Sequence, residues 1–199
     1  MTADAIFYFD LTSPYSYLCA TQLGSIAQRT RSSFSWRPIV LGAVFNELGI
    51  RVPASIPAKA EYMFEDLKRW AKYYDVPLLM PTTFPFNSMK AHRAIVAAQA
   101  LVNQEVGQRM AHAAFRAAWV QGKDLTEDDV IVELADEHGA DGATILQATQ
   151  DPKIKDLLRK NTEEAIESGC FGAPSIVIDE ELFWGNDRLQ FVEAALMSR

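Results

Sequence analysis

The sequence predicts an α/β protein in which a β-α-β unit opens the chain, a large all-helical insertion follows, and a β-β-α unit closes it. Strand-like apolar runs occur only near the two ends, at residues 6–9, 34–37, 175–178 and 182–184. The long stretch between them carries helical periodicity without interruption by strands. One helix separates the first two strands, which makes them parallel, and a two-residue turn separates the last two, which makes them antiparallel.

Residues 6–9, Ile-Phe-Tyr-Phe, read as a buried strand. From Pro14 to about residue 28, Tyr15, Leu18, Cys19, Leu23 and Ile26 recur at helical spacing, so one face packs inward. Phe34-Ser35-Trp36-Arg37 alternates as a second strand, and Pro38 ends its ladder. Residues 39–45 are apolar and lead into a loop with Gly49, Pro53 and Pro57. Residues 59–74 form an amphipathic helix with Met63, Leu67, Trp70 and Tyr74 on one stripe. Pro77, Pro81 and Pro85 keep the next segment extended.

Asn87 or Ser88 then caps a long Ala-rich helical region that reaches residue 121, with a break near Gly107 and a stop at Gly122. Thr126-Glu127-Asp128-Asp129 reads as a capping box opening a helix to His138. Shorter helices follow over 142–149 and 152–167. Gly172-Ala173-Pro174 precedes the third strand, Asp179-Glu180 is the turn, and Asp187 is the expected N-cap of a closing helix that runs to about Met197. Residues 1–45 with 168–199 thus form one discontinuous domain, and 46–167 form the helical insertion.

Bulk properties narrow the function. A chain of 199 residues with 49% hydrophobic and 23% charged residues is an ordinary globular length and composition. A net charge of −7 argues against a nucleic-acid surface and for a soluble cytoplasmic protein. The opening Met1-Thr2-Ala3-Asp4 lacks the basic residues of a signal peptide, and no run approaches the ~20 apolar residues of a membrane span. Cys19 and Cys170 show neither C-x-x-C nor metal-ligand spacing and read as two free thiols.

The chemistry starts at Ser13-Pro14-Tyr15-Ser16, where the first strand runs into a helix. Ser at an N-cap accepts from a first-turn N–H, and Pro at the first helical position loses only an N–H that had no partner. The turn sets a hydroxyl beside the positive end of a helix dipole, where an anion is welcome. Thiol–disulfide oxidoreductases carry Cys-x-x-Cys at this place; here both sulfurs are oxygens. Hydroxyls cannot cycle through a disulfide, but one can hydrogen-bond a thiolate that a ligand supplies.

Several segments, taken together, resemble the 2-hydroxychromene-2-carboxylate isomerases. They are residues 9–18, Trp36-Arg37-Pro38-Ile39-Val40-Leu41-Gly42, Phe84-Pro85-Phe86-Asn87-Ser88, Phe171-Gly172-Ala173-Pro174-Ser175 and Phe183-Trp184-Gly185-Asn186-Asp187-Arg188-Leu189. Those enzymes are relatives of the class kappa glutathione transferases. The resemblance implies a thioredoxin-like fold with a DsbA-type helical insertion, glutathione as cofactor, and a small aromatic 2-oxo or 2-hydroxy acid as substrate. It also admits a homodimer.

Carried onto this chain, Ser13 would hold the glutathione sulfur. Ala173 would pair with the cysteinyl unit as a short antiparallel strand, beside a cis Pro174. Trp184, Gly185, Asn186 and Asp187 would hold the γ-glutamyl end, Asp187 meeting its ammonium. On the substrate side the family commonly shows Lys and, four residues on, Asn, where this chain has Asn46 and Ile50; Arg51 and Lys59 are the nearby cations. Asn46 and Asn87 are the expected substrate contacts. Expected in this family is interconversion of 2-hydroxychromene-2-carboxylate and trans-o-hydroxybenzylidenepyruvate, a step of naphthalene breakdown. The competing expectations are a kappa-type transferase or peroxidase and a non-catalytic DsbA-like peptide binder.

Overall fold

Strands β1 (Ala5–Phe9), β2 (Phe34–Pro38), β3 (Ser175–Ile178) and β4 (Glu181–Trp184) form one sheet in the order β2-β1-β3-β4. The coordinates are a computed structural model that describes residues 4–199; the opening residues 1–3 of the expected signal-free N-terminus lie outside the described part. β1 pairs parallel with β2 and antiparallel with β3, and β3 pairs antiparallel with β4. The two central strands are apolar on both faces because both faces are covered, whereas β4 at the edge alternates less and is half exposed. Asp179 and Glu180 adopt positive φ values of 46° and 72°, the backbone a tight two-residue hairpin requires.

Helix α1 (Pro14–Thr30) is the crossover between the parallel strands β1 and β2. The helices α2 (Leu41–Glu47), α3 (Pro57–Tyr74), α4 (Met89–Leu101), α5 (Gln104–Trp119), α6 (Asp128–Asp136), α7 (Gly142–Ala148) and α8 (Pro152–Glu167) precede β3, and α9 (Leu189–Met197) closes the chain. The larger core lies on one face of the sheet, where Phe7, Phe9 and Trp36 meet Leu18 and Leu23 of α1 and Phe115 and Trp119 of α5. Phe7 and Trp36 pack edge to face at 4.8 Å between ring centroids. Tyr8, Ile39, Val44, Ala165, Cys170 and Val177 form a smaller core on the opposite face.

Four local expectations change. Part of the apolar run at 39–45 is helical from Leu41, and the acceptor for the Leu41 N–H is Asp10 Oδ2 at 2.8 Å, far away in sequence. The long Ala-rich region breaks at Val102 and Asn103, where the Asn103 side chain accepts from Val106 N, and not at Gly107. Gly107 is instead a packing residue, since a Cβ there would fall 2.2 Å from Gln99 Cγ of α4. The expected capping box is absent: Glu127 is the N-cap of α6 without a side-chain bond, while Thr126 folds back on Asp124. Asp187 does not cap α9; it lies in a 3-10 turn, Asn186–Arg188, and Arg188 takes the cap position.

Candidate active site

Ser13 occupies the N-cap of α1 with extended backbone, and its Oγ accepts from the Ser16 N–H at 3.1 Å. Pro14 fills the first helical position. The same Ser13 hydroxyl donates to the Ala173 carbonyl at 2.9 Å, across 160 residues of sequence. The α1 N-terminus and the segment before β3 therefore meet at one point. Ser16 is fully buried with its Oγ unpartnered, so the two hydroxyls are not equivalent.

The Ala173-Pro174 peptide is cis. Among the described residues the Ala173 N–H has no hydrogen-bond partner, and Ala173 itself is half-buried. Pro174 O accepts from the Gly185 N–H at 3.0 Å, which ties this segment to the end of β4. Trp184 lies against Gly172 so closely that a Cβ at residue 172 would fall 2.5 Å from the indole nitrogen; the Phe171 ring packs tilted against it at 4.9 Å between centroids. Gly185 has φ 101° and leaves room for the Asp187 carboxylate, which a Cβ would meet at 2.4 Å. Asp187 pairs with Arg188 at 2.6 Å and stays half exposed. Asn186 is buried, and its carbonyl accepts from the Tyr74 hydroxyl at 2.8 Å, so α3 braces this turn. Burial pushes the Tyr74 phenol up to about 12, which keeps it a donor.

Neither expected substrate contact hydrogen-bonds to this cluster among the described residues. Asn46 is exposed on α2, and Asn87 is exposed with its Oδ1 accepting from the Met89 N–H at 3.0 Å. Arg51 is exposed and bonds Ser55, and Lys59 is exposed on α3. A groove between α2, α4 and α8, lined by Val40, Ala43, Arg93, Leu158 and Ile166, includes neither asparagine.

The turn that delivers Ser13 holds residues that sequence reasoning missed. Asp10 is 4% exposed, and its Oδ1 accepts from both the N–H and the hydroxyl of Thr12 at 2.8 Å, while Oδ2 takes the Leu41 N–H. Its carbonyl accepts from the Ser13 N–H at 3.0 Å. Leu11 is fully buried, so its peptide has no access to water and needs partners from the protein. Both come from the helical insertion: His92 Nε2 of α4 accepts from the Leu11 N–H at 2.9 Å, and the Trp119 indole of α5 donates to its carbonyl at 2.8 Å. The Asp10-x-Thr12 spacing is the one local signal, an acidic side chain bonding backbone two residues on.

Cys19 and Cys170 are both buried and free, as expected. Burial pushes the Cys170 thiol up to about 11 and the Cys19 thiol further. Neither is a thiolate at neutral pH, and neither belongs to the site. Native protein treated with iodoacetamide at pH 8 is expected to stay unlabelled at both positions by mass spectrometry, with both labelled after denaturation.

A family model described as a DSBA-like thioredoxin domain matches residues 5–197. The 2-hydroxychromene-2-carboxylate isomerase of Sphingobium xenophagum is 32% identical over 199 residues, spanning 99% of this chain and 100% of that protein. The chain belongs to the 2-hydroxychromene-2-carboxylate isomerase family. A solved structure of a 2-hydroxychromene-2-carboxylate isomerase superposes with a TM-score of 0.87 at 27% identity, over 96% of this chain and 93% of that one. Glutathione S-transferase kappa 1 of Caenorhabditis elegans is also 32% identical, over 94% of this chain and 87% of its own length. Membership in the family makes this protein an enzyme of the isomerase class with a DsbA-like thioredoxin fold. Among the described residues no helix is long and apolar enough to cross a membrane, and no cluster of side chains has the makings of a metal site.

Proposed function

We propose that this protein is a glutathione-dependent isomerase that interconverts 2-hydroxychromene-2-carboxylate and trans-o-hydroxybenzylidenepyruvate in the cytoplasm. The observation that carries the reading is the Ser13 hydroxyl on the Ala173 carbonyl at the N-terminus of α1. The donor set fits glutathione: a free backbone N–H and a carbonyl at a half-buried edge, a hydroxyl at a helix N-terminus, and a carboxylate at Asp187. In this reading Ala173 offers both its peptide groups to the cysteinyl unit, and Trp184, Gly185, Asn186 and Asp187 receive the γ-glutamyl end.

Glutathione, when bound, supplies a sulfur nucleophile whose reversible addition turns a double bond into a rotatable single bond. Ser13 keeps that sulfur ionised. Its hydroxyl has a single proton, which in the free protein is committed to the Ala173 carbonyl. A cysteinyl N–H that takes over the carbonyl frees the Ser13 O–H to turn toward the sulfur. The Ser16 N–H holds Ser13 Oγ in place meanwhile, and the first turn of α1 adds its positive potential. Pairing of the backbone edge and charging of the sulfur are thereby linked through one proton. In this reading Asn46 and Asn87, both exposed, are the side chains offered to the aromatic acid.

The kappa relatives support a second reading, in which glutathione is consumed by transfer to an electrophile. Counting glutathione through many turnovers with 2-hydroxychromene-2-carboxylate separates the two. Product formation that requires glutathione and leaves its concentration unchanged is expected. Stoichiometric loss of glutathione, or isomerisation at the same rate without it, overturns the isomerase reading.

A further inference from the structure

We propose that His92 is a positioning residue for Ser13, holding the Leu11 peptide only while its imidazole is neutral and releasing the turn when it is protonated. The proposal rests on the reading of Ser13 as the partner of a glutathione thiolate. Residues 10–13 form a four-residue turn closed by the Ser13 N–H on the Asp10 carbonyl. Leu11 sits in its middle, fully buried, with its N–H on His92 and its carbonyl on Trp119. A peptide held at both polar groups cannot rotate, so the direction in which the chain enters α1, and with it the Ser13 hydroxyl, is fixed.

His92 is 1% exposed and packs edge-on against Phe9. Because Nε2 accepts from an N–H, the proton of the neutral ring resides on Nδ1, which is buried and unpartnered. Protonating Nε2 would point a second N–H at the Leu11 N–H, and two donors cannot share that space. The charged group facing the ring is Asp10 at the end of β1, with Oδ1 3.6 Å from Nε2. From α5 comes the Trp119 indole, which is uncharged and spent on Leu11. An imidazolium would therefore abandon Leu11 for Asp10 and compete with both Thr12 bonds to Oδ1. The turn has two arrangements, one for each protonation state.

Burial lowers the His92 pKa, and the Asp10 charge opposes that shift without reversing it. Neutral imidazole is thus the form present at physiological pH. As pH falls below the ordinary histidine value of 6.5, the unfolded chain takes up the proton before the folded one, so His92 makes stability fall with pH. The decline continues until the depressed folded pKa is passed.

Two measurements test the proposal. Amide and imidazole NMR of the wild-type protein, titrated downward in pH, should show the Leu11 amide moving together with the His92 ring. A Leu11 amide that stays still while His92 titrates overturns it. Thiolate absorbance of bound glutathione at neutral pH, read alongside turnover, tests the link to Ser13. His92→Gln retains a carbonyl acceptor for Leu11 and should stay within about threefold of wild type, whereas His92→Leu should lose about tenfold or more, a small displacement of reacting groups costing up to ~10²-fold. Equal thiolate signals in His92→Leu and wild type overturn the proposal. The NMR arm needs no variant, so it decides the matter even if His92→Leu fails to fold. An unchanged thiolate in Ser13→Ala would sink the Ser13 reading and leave the Leu11 titration untouched, so the two failures are distinguishable.

Discussion

Replacing Ser13 by alanine is expected to lower turnover by about 10²-fold, the usual cost of deleting one hydrogen-bond donor aimed at a developing or fixed negative charge. The bound glutathione thiol should titrate at higher pH in the variant, because only the α1 amides would remain to favour the thiolate. Affinity for S-methylglutathione should change much less, since the backbone edge at Ala173 and the Asp187 carboxylate survive. Stability should fall as well, by about 1 kcal/mol, for the lost N-cap. The control is Ser16→Ala: its hydroxyl makes no hydrogen bond, so both turnover and stability should remain near wild type. A Ser13→Ala enzyme with wild-type turnover and a wild-type thiol titration would remove the basis of the proposed chemistry.

Asp10→Asn should be the most damaging change outside the direct ligand contacts. The carboxylate accepts three hydrogen bonds in a buried setting, two at Oδ1 and one at Oδ2. An asparagine amide supplies one acceptor atom, and its NH2 group must face an N–H donor on the other side. At least one partly buried backbone N–H is orphaned, at Thr12 or at Leu41, and charge-assisted bonds are lost besides. The expected cost is about 2–4 kcal/mol. For a chain of this size each kcal/mol lowers the melting temperature by roughly 2–4 °C, so calorimetry should register a fall of about 5–15 °C. Because α2 starts on one of these bonds and Ser13 follows the others, turnover should fall with stability. A variant that melts with the wild type would show that water replaces the carboxylate.

The order of strands and helices was legible because its signals are local. The 6–9 run, the Ser13-Pro14 helix start, the proline-rich stretch after Tyr74 and the two-residue turn at Asp179-Glu180 each carry their own physical cause within a few residues. Where the cause is remote, local reading failed. Helix α2 begins on the carboxylate of Asp10, 31 residues upstream, and a short apolar run gives no sign of that. Gly107 looked like a helix breaker and is instead the close contact of α4 with α5, a matter of which helix lies opposite. Thr126 had a nearer acceptor in Asp124 than the capping box offered. The same divide runs through the site. Ser13 and the Ala173-Pro174 pair announce themselves by motif, but His92 lies 81 residues from Leu11 and Trp119 lies 108 residues from it. Nothing in the spacing of a lone histidine within an Ala-rich helix distinguishes it from an ordinary core residue.

The insertion's grip on Leu11 also bears on engineering. A designer who exchanged the helical segment for that of a distant relative would remove an imidazole and an indole from beneath a buried amide in the other part of the chain. Such a chimera would need a compensating acceptor and donor at matching positions, however well its new helices packed. Hybrids divided between α3 and α4 should therefore fail unless both side chains travel with the turn they serve.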